Sequence, residues 1–410
     1  MLVGPRRSLA SLRTMKIGIF GNTNNYPYVL AKGLRSLGVD AVLVVNRTER
    51  LHRPESQDAG LATGYPEWIL DASAVTEEAY LRESSAVAPV IAFLTNGTQG
   101  VLLNDLGPSL FQQIGLPALS LLTGSDLTHY GDYGMIAVRR GAGDPEFYRS
   151  PPGRRVQRQL AHLITRQRDG ILGSEAVSFA HKGLVPQGDA LLESIGVTDS
   201  RRFFTWNSDT MRLAFQPAPG NARLRILNPT RINYKFPMPP GHSAQDHKGT
   251  DVLIRGFAAF VRGGGDAELR LVSKGFHVED AVALVRELDV ETHVTWLPEM
   301  SLIEVYDEMR QADVVTDQFG HSLPGLVMTD ALAIGRPVLA NFRPELLGGF
   351  YPEPLPGLHA ETPEGVCEQL RRLAASATLR EELGRAGREF AERYLSPIAN
   401  AQVCLRRLNT

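Results

Sequence analysis

DVVTDQFGHSLPGLVMTDALAIGRPVL, residues Asp313 to Leu339, is the stretch whose reading decides the fold. Val314-Val315 closes a short buried strand. Asp317 to Ser322 is a loop. Ser322 is a candidate N-cap and Pro324 stands near the first helical position. Leu323, Leu326, Val327 and Ala331 then share one helical face. Gly335 stops the helix, and Pro337 opens a second strand at Val338-Leu339-Ala340. The unit is therefore strand, glycine-containing loop, helix, strand. A helix N-terminus with unpaired N–H groups beside Gly325 offers an anion site. Asp330, about a turn and a half further on, points toward the same side. The plainer reading, an ordinary βαβ unit with a solvated Asp330, stands beside it.

A chain of 410 residues holds two domains, each with its own core. Its 43% hydrophobic and 21% charged content is that of a soluble globular protein. A net charge of −2 gives no general attraction to nucleic acid or membrane. Two cysteines, Cys367 and Cys404, make neither a disulfide framework nor a zinc site and fit a reducing cytoplasm. No apolar run approaches the roughly 20 residues that span a bilayer. No His, Cys and acid cluster has metal spacing, so no metal is expected. Lysine is scarce, and three of the six, Lys235, Lys248 and Lys274, fall in one short region that calls for compact ammonium groups.

Residues 1–14 read as a disordered lead-in with three arginines. Lys16–Phe20 is a buried strand, followed by the loop GNTNNYP, a helix from Tyr28 to Leu37 and a strand from Val39 to Val45. This begins a first Rossmann-like domain, although the loop is not GxGxxG and Asn46 stands where a ribose-binding acid would be. Gly21 and Asn22 are small polar candidates for a cleft at the sheet's carboxyl edge. Pro89–Leu94 and Pro117–Leu122 read as further strands, Asp169–Gly173 as a short one, and residues 141–158 as loop. The arginines from Arg149 to Arg168 read as a solvated helix face, or as a contact with an anionic acceptor or membrane surface. QPAPG, Gln216–Gly220, reads as the interdomain linker. The pattern then restarts as a second parallel α/β domain, and the tail from Pro363 is mostly helical.

In the second domain several strand-end groups share a chemistry. Arg231 follows the strand Leu224–Leu227, and Lys248 precedes a helix. Ser273, Lys274 and Gly275 follow the strand Glu268–Val272, and Gly325 opens the anion-type helix. Carboxyl ends of an open parallel sheet face one crevice. Two cations with helix N–H groups fit a diphosphate, and Asp330 fits a ribose. That is a nucleotide-diphosphate site.

The ordered series TRI (230–232), HKGTDVLIRGFAAF (247–260), LRLVSKG (269–275), VTWLPEMSLIEVYDEMRQADVV (294–315) and PGLVMTDALAIGRPVLA (324–340) resembles the retaining glycosyltransferases of the GT-B fold, family-four type. The first domain matches more loosely, through TGSDL (123–127), ILGSE (171–175) and NSDTMRLAFQP (207–217). The resemblance implies two Rossmann-like parallel-sheet domains facing a central cleft, bounded at residues 15–215 and 216–390. A C-terminal helix, 391–410, crosses back to the first. It implies that Arg231 and Lys248 clamp the donor diphosphate and that Gly325, with the amide of Leu326, meets the phosphates. The long insert NYKFPMPPGHSAQDH separates the two cations here. The family's pair of glutamates falls on Ser322 and Asp330, the second holding the ribose, and Asp317 is a substitute for the missing first acid. The family's first-domain histidine points to the strand end with Asp126 and His129 as catalytic candidates.

The implied reaction is metal-free transfer of a sugar, with retention, from a nucleotide-diphosphate sugar to a small-molecule, glycan or lipid-linked acceptor. No resident cofactor is expected. The expected site is cytoplasmic, with peripheral membrane contact through residues 149–168. A GT-B-shaped sugar-nucleotide epimerase and a non-catalytic nucleotide-binding scaffold are the alternatives. A dinucleotide enzyme lacks its glycine fingerprint in both domains.

Overall fold

The computed structural model describes residues 15–408 other than Pro240, Gly241, Ser243, His321, Ser322 and Pro324. The expectations placed on the lead-in, on Ser322 and on Pro324 lie outside the described residues. The chain forms two compact units, each a parallel α/β sheet with its own core.

The first unit carries seven strands in the order β3-β2-β1-β4-β5-β6-β7. They are β1 Lys16–Phe20, β2 Asp40–Val45, β3 Ile69–Asp71, β4 Gly100–Leu103, β5 Ala118–Leu121, β6 Ala176–Ser178 and β7 Arg202–Phe203. All pairings are parallel. Helix α1, Tyr26–Ser36, returns the chain from β1 to β2. The run expected as a strand at Pro89–Leu94 is helix α2, Ala88–Thr95. Its proline sits in the first helical turn, where no N–H is needed. Its buried residues, Val90 and Leu94, are four apart, as one helix face requires. A short apolar run does not declare its period, and the strand beside β1 is instead the fully buried GVLL of β4.

The stretch expected as loop is also helical. Pro145–Arg149 is α3, and Pro151–Gly173 is the long helix α4, capped by the Ser150 hydroxyl accepting from the Gly153 N–H at 3.3 Å. Asp169–Gly173 is the end of α4, and the strand follows it as β6.

The second unit carries six parallel strands in the order β10-β9-β8-β11-β12-β13. These are β8 Leu224–Asn228, β9 Ala267–Val272, β10 Val294–Leu297, β11 Val314–Thr316, β12 Val338–Ala340 and β13 Leu358–His359. Helices α5 Thr250–Arg262, α6 Val278–Glu287, α7 Leu302–Gln311 and α8 Leu326–Ile334 connect them, and α9 Pro363–Ala375 and α10 Ala377–Phe390 follow. The helix expected from Ser322 starts three to four residues later, with Gly325 as N-cap and Gly335, at φ +88°, as C-cap.

The division falls between Thr205 and Trp206, not at Gln216. Residues 206–216 belong to the second unit because guanidinium groups clamp them there. The fully buried Arg336 donates to the Gln216 carbonyl at 3.1 Å, and Arg388 donates to the carbonyls of Thr210 and Leu213. The final helix α11, Pro397–Leu408, belongs to the first unit. It lies so close to α1 that a Cβ on Gly33 would meet the Pro397 carbonyl oxygen at 2.1 Å. Among the described residues no helix is long and apolar enough to cross a membrane.

Candidate active site

In the second sheet the strand order reverses between β8 and β11, and such switch points open a crevice at the carboxyl ends. Asn228 ends β8, and its amide donates to the Thr316 hydroxyl at 2.9 Å and the Asp317 carbonyl at 3.0 Å. It thereby ties the two exit loops together. Arg231 stands exposed on the β8 loop, and no carboxylate among the described residues forms an ion pair with it. The next residue is fixed to the loop after β9. The Ile232 N–H donates to the Lys274 carbonyl at 2.6 Å, and its carbonyl accepts from the His277 N–H at 3.0 Å. Gly275 has φ +126°, and a Cβ there would stand 2.6 Å from the Ile232 nitrogen. Only glycine lets these loops meet. Ser273 is held by its N–H on the Leu297 carbonyl at 2.8 Å, and the Lys274 ammonium pairs with Glu299 at 2.6 Å.

Lys248 is brought to the same crevice by its backbone. Its N–H donates to the Asn233 carbonyl at 2.6 Å, and its carbonyl accepts from the N–H groups of Phe319 and Gly320 at 2.8 and 3.0 Å. Gly249 (φ +65°) and Gly320 press these loops together. A Cβ on Gly249 would lie 2.5 Å from the Gly320 nitrogen, and one on Gly320 would lie 2.5 Å from the His247 carbonyl oxygen. Burial lowers the pKa of the Lys248 ammonium, the carboxylates of Asp317 and Asp246 raise it again, and Arg231 adds a like charge.

Asp317 corrects one expectation. Its buried carboxylate accepts from the N–H groups of Gly325 at 2.8 Å and Met328 at 3.2 Å. The α8 N-terminus is therefore partly filled by the protein's own anion, and among the described residues no side chain accepts from the first-turn N–H groups of Leu326 and Val327. Burial raises the Asp317 pKa, against the pull of these N–H groups and Lys248.

Asp330 is 6% exposed, and both carboxylate oxygens are engaged: one accepts from the Ser208 hydroxyl at 2.8 Å, the other from the Tyr306 hydroxyl at 3.1 Å. Burial pushes its pKa up to about 7, with the two hydroxyls and Arg212 opposing and Asp209 adding to the rise. The Arg212 guanidinium lies 5.7 Å from the centroid of the Tyr306 ring. Asp330 thus holds the 206–216 segment to α7 and α8.

No family model matches the sequence, and no curated protein matches it. Solved structures do match. HepE from Anabaena, in complexes with UDP and glucose and with UDP-glucose, superposes with a TM-score of 0.61 at 12% identity, over 96% of this chain and 99% of that one. A glycosyltransferase from Rickettsia africae gives 0.60 at 12% identity, over 96% and 98%. Sucrose-phosphate synthase from Thermosynechococcus elongatus gives 0.56 at 14% identity, over 96% and 98%. The fold is GT-B.

Within this GT-B chain the expected first-domain residues turn out to hold their own loops. Asp126 is 1% exposed, and its carboxylate accepts from the N–H groups of Thr123, Gly124 and Leu127 and from the Asn104 amide. Burial nonetheless raises its pKa to about 6. Asn22 is spent likewise: its amide donates to Asn25 and to the His52 carbonyl, and its oxygen accepts from the Tyr28 N–H. Gly21 (φ +86°) is a close-approach glycine, since a Cβ would lie 2.7 Å from the Asn104 carbonyl oxygen. His129 is half-buried at the end of the short turn after β5, its N–H on the Ser125 carbonyl at 2.9 Å.

Sequence reasoning missed the residues that organise this edge. Asp105, fully buried at φ +55°, takes a two-point ion pair from Arg47 and a hydrogen bond from Asn46. Gln167 on α4 donates to the carbonyls of Asp105 and Asp126. The signal was Asn104-Asp105 directly after β4, a strand the apolar run at Pro89–Leu94 concealed. Of the basic stretch, Arg166 and Arg168 donate to the carbonyls of Tyr80 and Gly131, while Arg149, Arg154, Arg155 and Arg158 are exposed.

Proposed function

We propose that this chain moves a sugar from a nucleotide-diphosphate sugar to an acceptor hydroxyl. The observation that carries the reading is the cation pair at the switch point of the second sheet. Arg231 and Lys248 enter one crevice on loops that Asn228, Asn233, Gly249 and Gly320 hold together. A reaction whose leaving group is a diphosphate needs fixed positive charge where negative charge accumulates. In the proposed step the bond from the anomeric carbon to the diphosphate oxygen breaks. The acceptor oxygen bonds to that carbon on the same face, and its proton passes to the departing diphosphate. The Ser273-Lys274-Gly275 loop and the amides of Leu326 and Val327 border the donor. Attack on the same face retains the configuration, and because Arg231 and Lys248 supply the charge, excess EDTA leaves the rate unchanged. The anomeric proton coupling of the product reads the first, and a chelator titration the second. Exposed Arg149, Arg154, Arg155 and Arg158 support contact with an anionic acceptor or membrane surface.

HepE was solved with UDP and UDP-glucose, so uridine heads the test. UDP, GDP, ADP, TDP and CMP are compared by thermal shift on wild type and Lys248→Ala. A ligand at about 100 times its dissociation constant adds about 2.7 kcal/mol, or roughly 5–10 °C for a unit of this size. One diphosphate is expected to stabilise the wild type and not the variant. No shift with any nucleotide would sink the reading. Binding without transfer would leave the scaffold alternative, and a donor returned with an inverted sugar carbon would identify an epimerase.

A further inference from the structure

Clamping a diphosphate needs two cations, yet a long insert separates Arg231 from Lys248. Its described part is built from rings. Phe236 lies parallel to His247, with centroids 4.7 Å apart. Tyr234 meets His277 at 5.5 Å and 65°. Phe276, just outside the insert on the β9 exit loop, meets His242 at 4.7 Å and 66° and His277 at 6.4 Å and 71°. Phe276 remains 48% exposed. Its ring neighbours among the described residues all stand steeply to it, so none stacks on its faces.

A single surface phenylalanine needs no explanation. This one is held in register with the cation pair. Asn233 accepts the Lys248 N–H on its backbone carbonyl at 2.6 Å and the Phe276 N–H on its side-chain oxygen at 2.9 Å. The His277 Nδ1 accepts the Tyr234 N–H at 3.1 Å, pinning the root of the insert to the same loop. One residue therefore ties the backbone of Lys248 to that of Phe276. The Ile232 N–H on the Lys274 carbonyl likewise sets the loop that carries Arg231 against the loop that carries Phe276, and a nucleobase is the part of a nucleotide donor with a planar face to cover.

We infer that Phe276 is the stacking platform for the donor's nucleobase and that the insert holds its ring beside the cation pair. The inference rests on the donor reading above. Base–aromatic stacking is sequence-tolerant and is lost on truncation to alanine.

Calorimetric titration tests it, using inorganic pyrophosphate and whichever of UDP, GDP, ADP and TDP binds the wild type most tightly. Phe276→Ala is expected to weaken the nucleotide by roughly 5- to 150-fold, to leave pyrophosphate unchanged, and to be rescued by Phe276→Trp. Unchanged nucleotide affinity in Phe276→Ala would overturn the inference, as would an equal loss for both ligands or a rise confined to the acceptor KM. A wild type that binds pyrophosphate but no nucleotide would overturn it while leaving the cation clamp. A wild type that binds neither overturns the functional reading and this inference together.

Discussion

Lys248→Ala is expected to slow sugar transfer by on the order of 10²-fold or more, the scale of removing one fixed stabiliser of a developing anion. The loss belongs mainly to kcat, because the charge on the diphosphate grows as the sugar departs and the ammonium is worth most at that moment. The fold should survive. What binds the 247–249 loop to its two neighbouring loops is backbone: the Lys248 N–H on the Asn233 carbonyl, and its carbonyl under the N–H groups of Phe319 and Gly320. Truncation past Cβ leaves these untouched.

It does take from Asp317 a cation that lowers the pKa of that buried carboxylate. Lys248→Ala with Asp317→Asn therefore separates the two roles. The double variant should regain any stability lost by the single one and none of the rate. Recovery of rate would mean that Lys248 acts by balancing Asp317 and not by holding the diphosphate. Lys248→Arg is expected to rescue poorly, since a planar guanidinium fork is longer than a compact ammonium and bonds in a different geometry.

The second unit was legible because its signals are local. The helix expected directly after Lys248 is α5, Thr250–Arg262, since its apolar face repeats with the helical period between two glycine stops. The cations were picked out by placement alone, Arg231 just past the end of β8 and Lys248 just before α5. What was not legible depends on side chains that reach across loops. Nothing near Asp317 announces that its carboxylate turns forward onto the N–H groups of Gly325 and Met328. Nothing in QPAPG shows that Arg336, from beyond α8, takes the Gln216 carbonyl and draws the segment into the second unit. Proline and glycine mark irregular chain, and irregular chain bound by buried guanidinium looks the same in sequence as a linker. At α2 the failure was of period: APVIAFLT is apolar on nearly every side, and only the partner of β1 in the folded sheet decides between strand and helix.

Asp330 yields the other large effect, in stability against pH. Its carboxyl has an ordinary pKa of 3.8 and is pushed to about 7 in the fold, chiefly by burial. The folded chain therefore holds this proton more tightly than the unfolded chain does. The stability this contributes is complete below about pH 4 and is lost as pH rises through 7. At about 1.36 kcal/mol for each tenfold step in proton affinity, the swing is on the order of 4 kcal/mol. For a unit of this size that corresponds to roughly 10 °C in melting temperature. Asp330→Asn keeps the shape and an oxygen for the Ser208 hydroxyl and cannot ionise, so its stability should not carry this term. The measurement is the difference in Tm between variant and wild type from pH 5 to pH 8, which cancels every other titrating group. That difference should grow in favour of the variant as pH rises. Parallel curves would mean that the Ser208 and Tyr306 hydroxyls with Arg212 fully offset the burial, and that the carboxylate is held ionised between α8 and the 206–216 segment throughout.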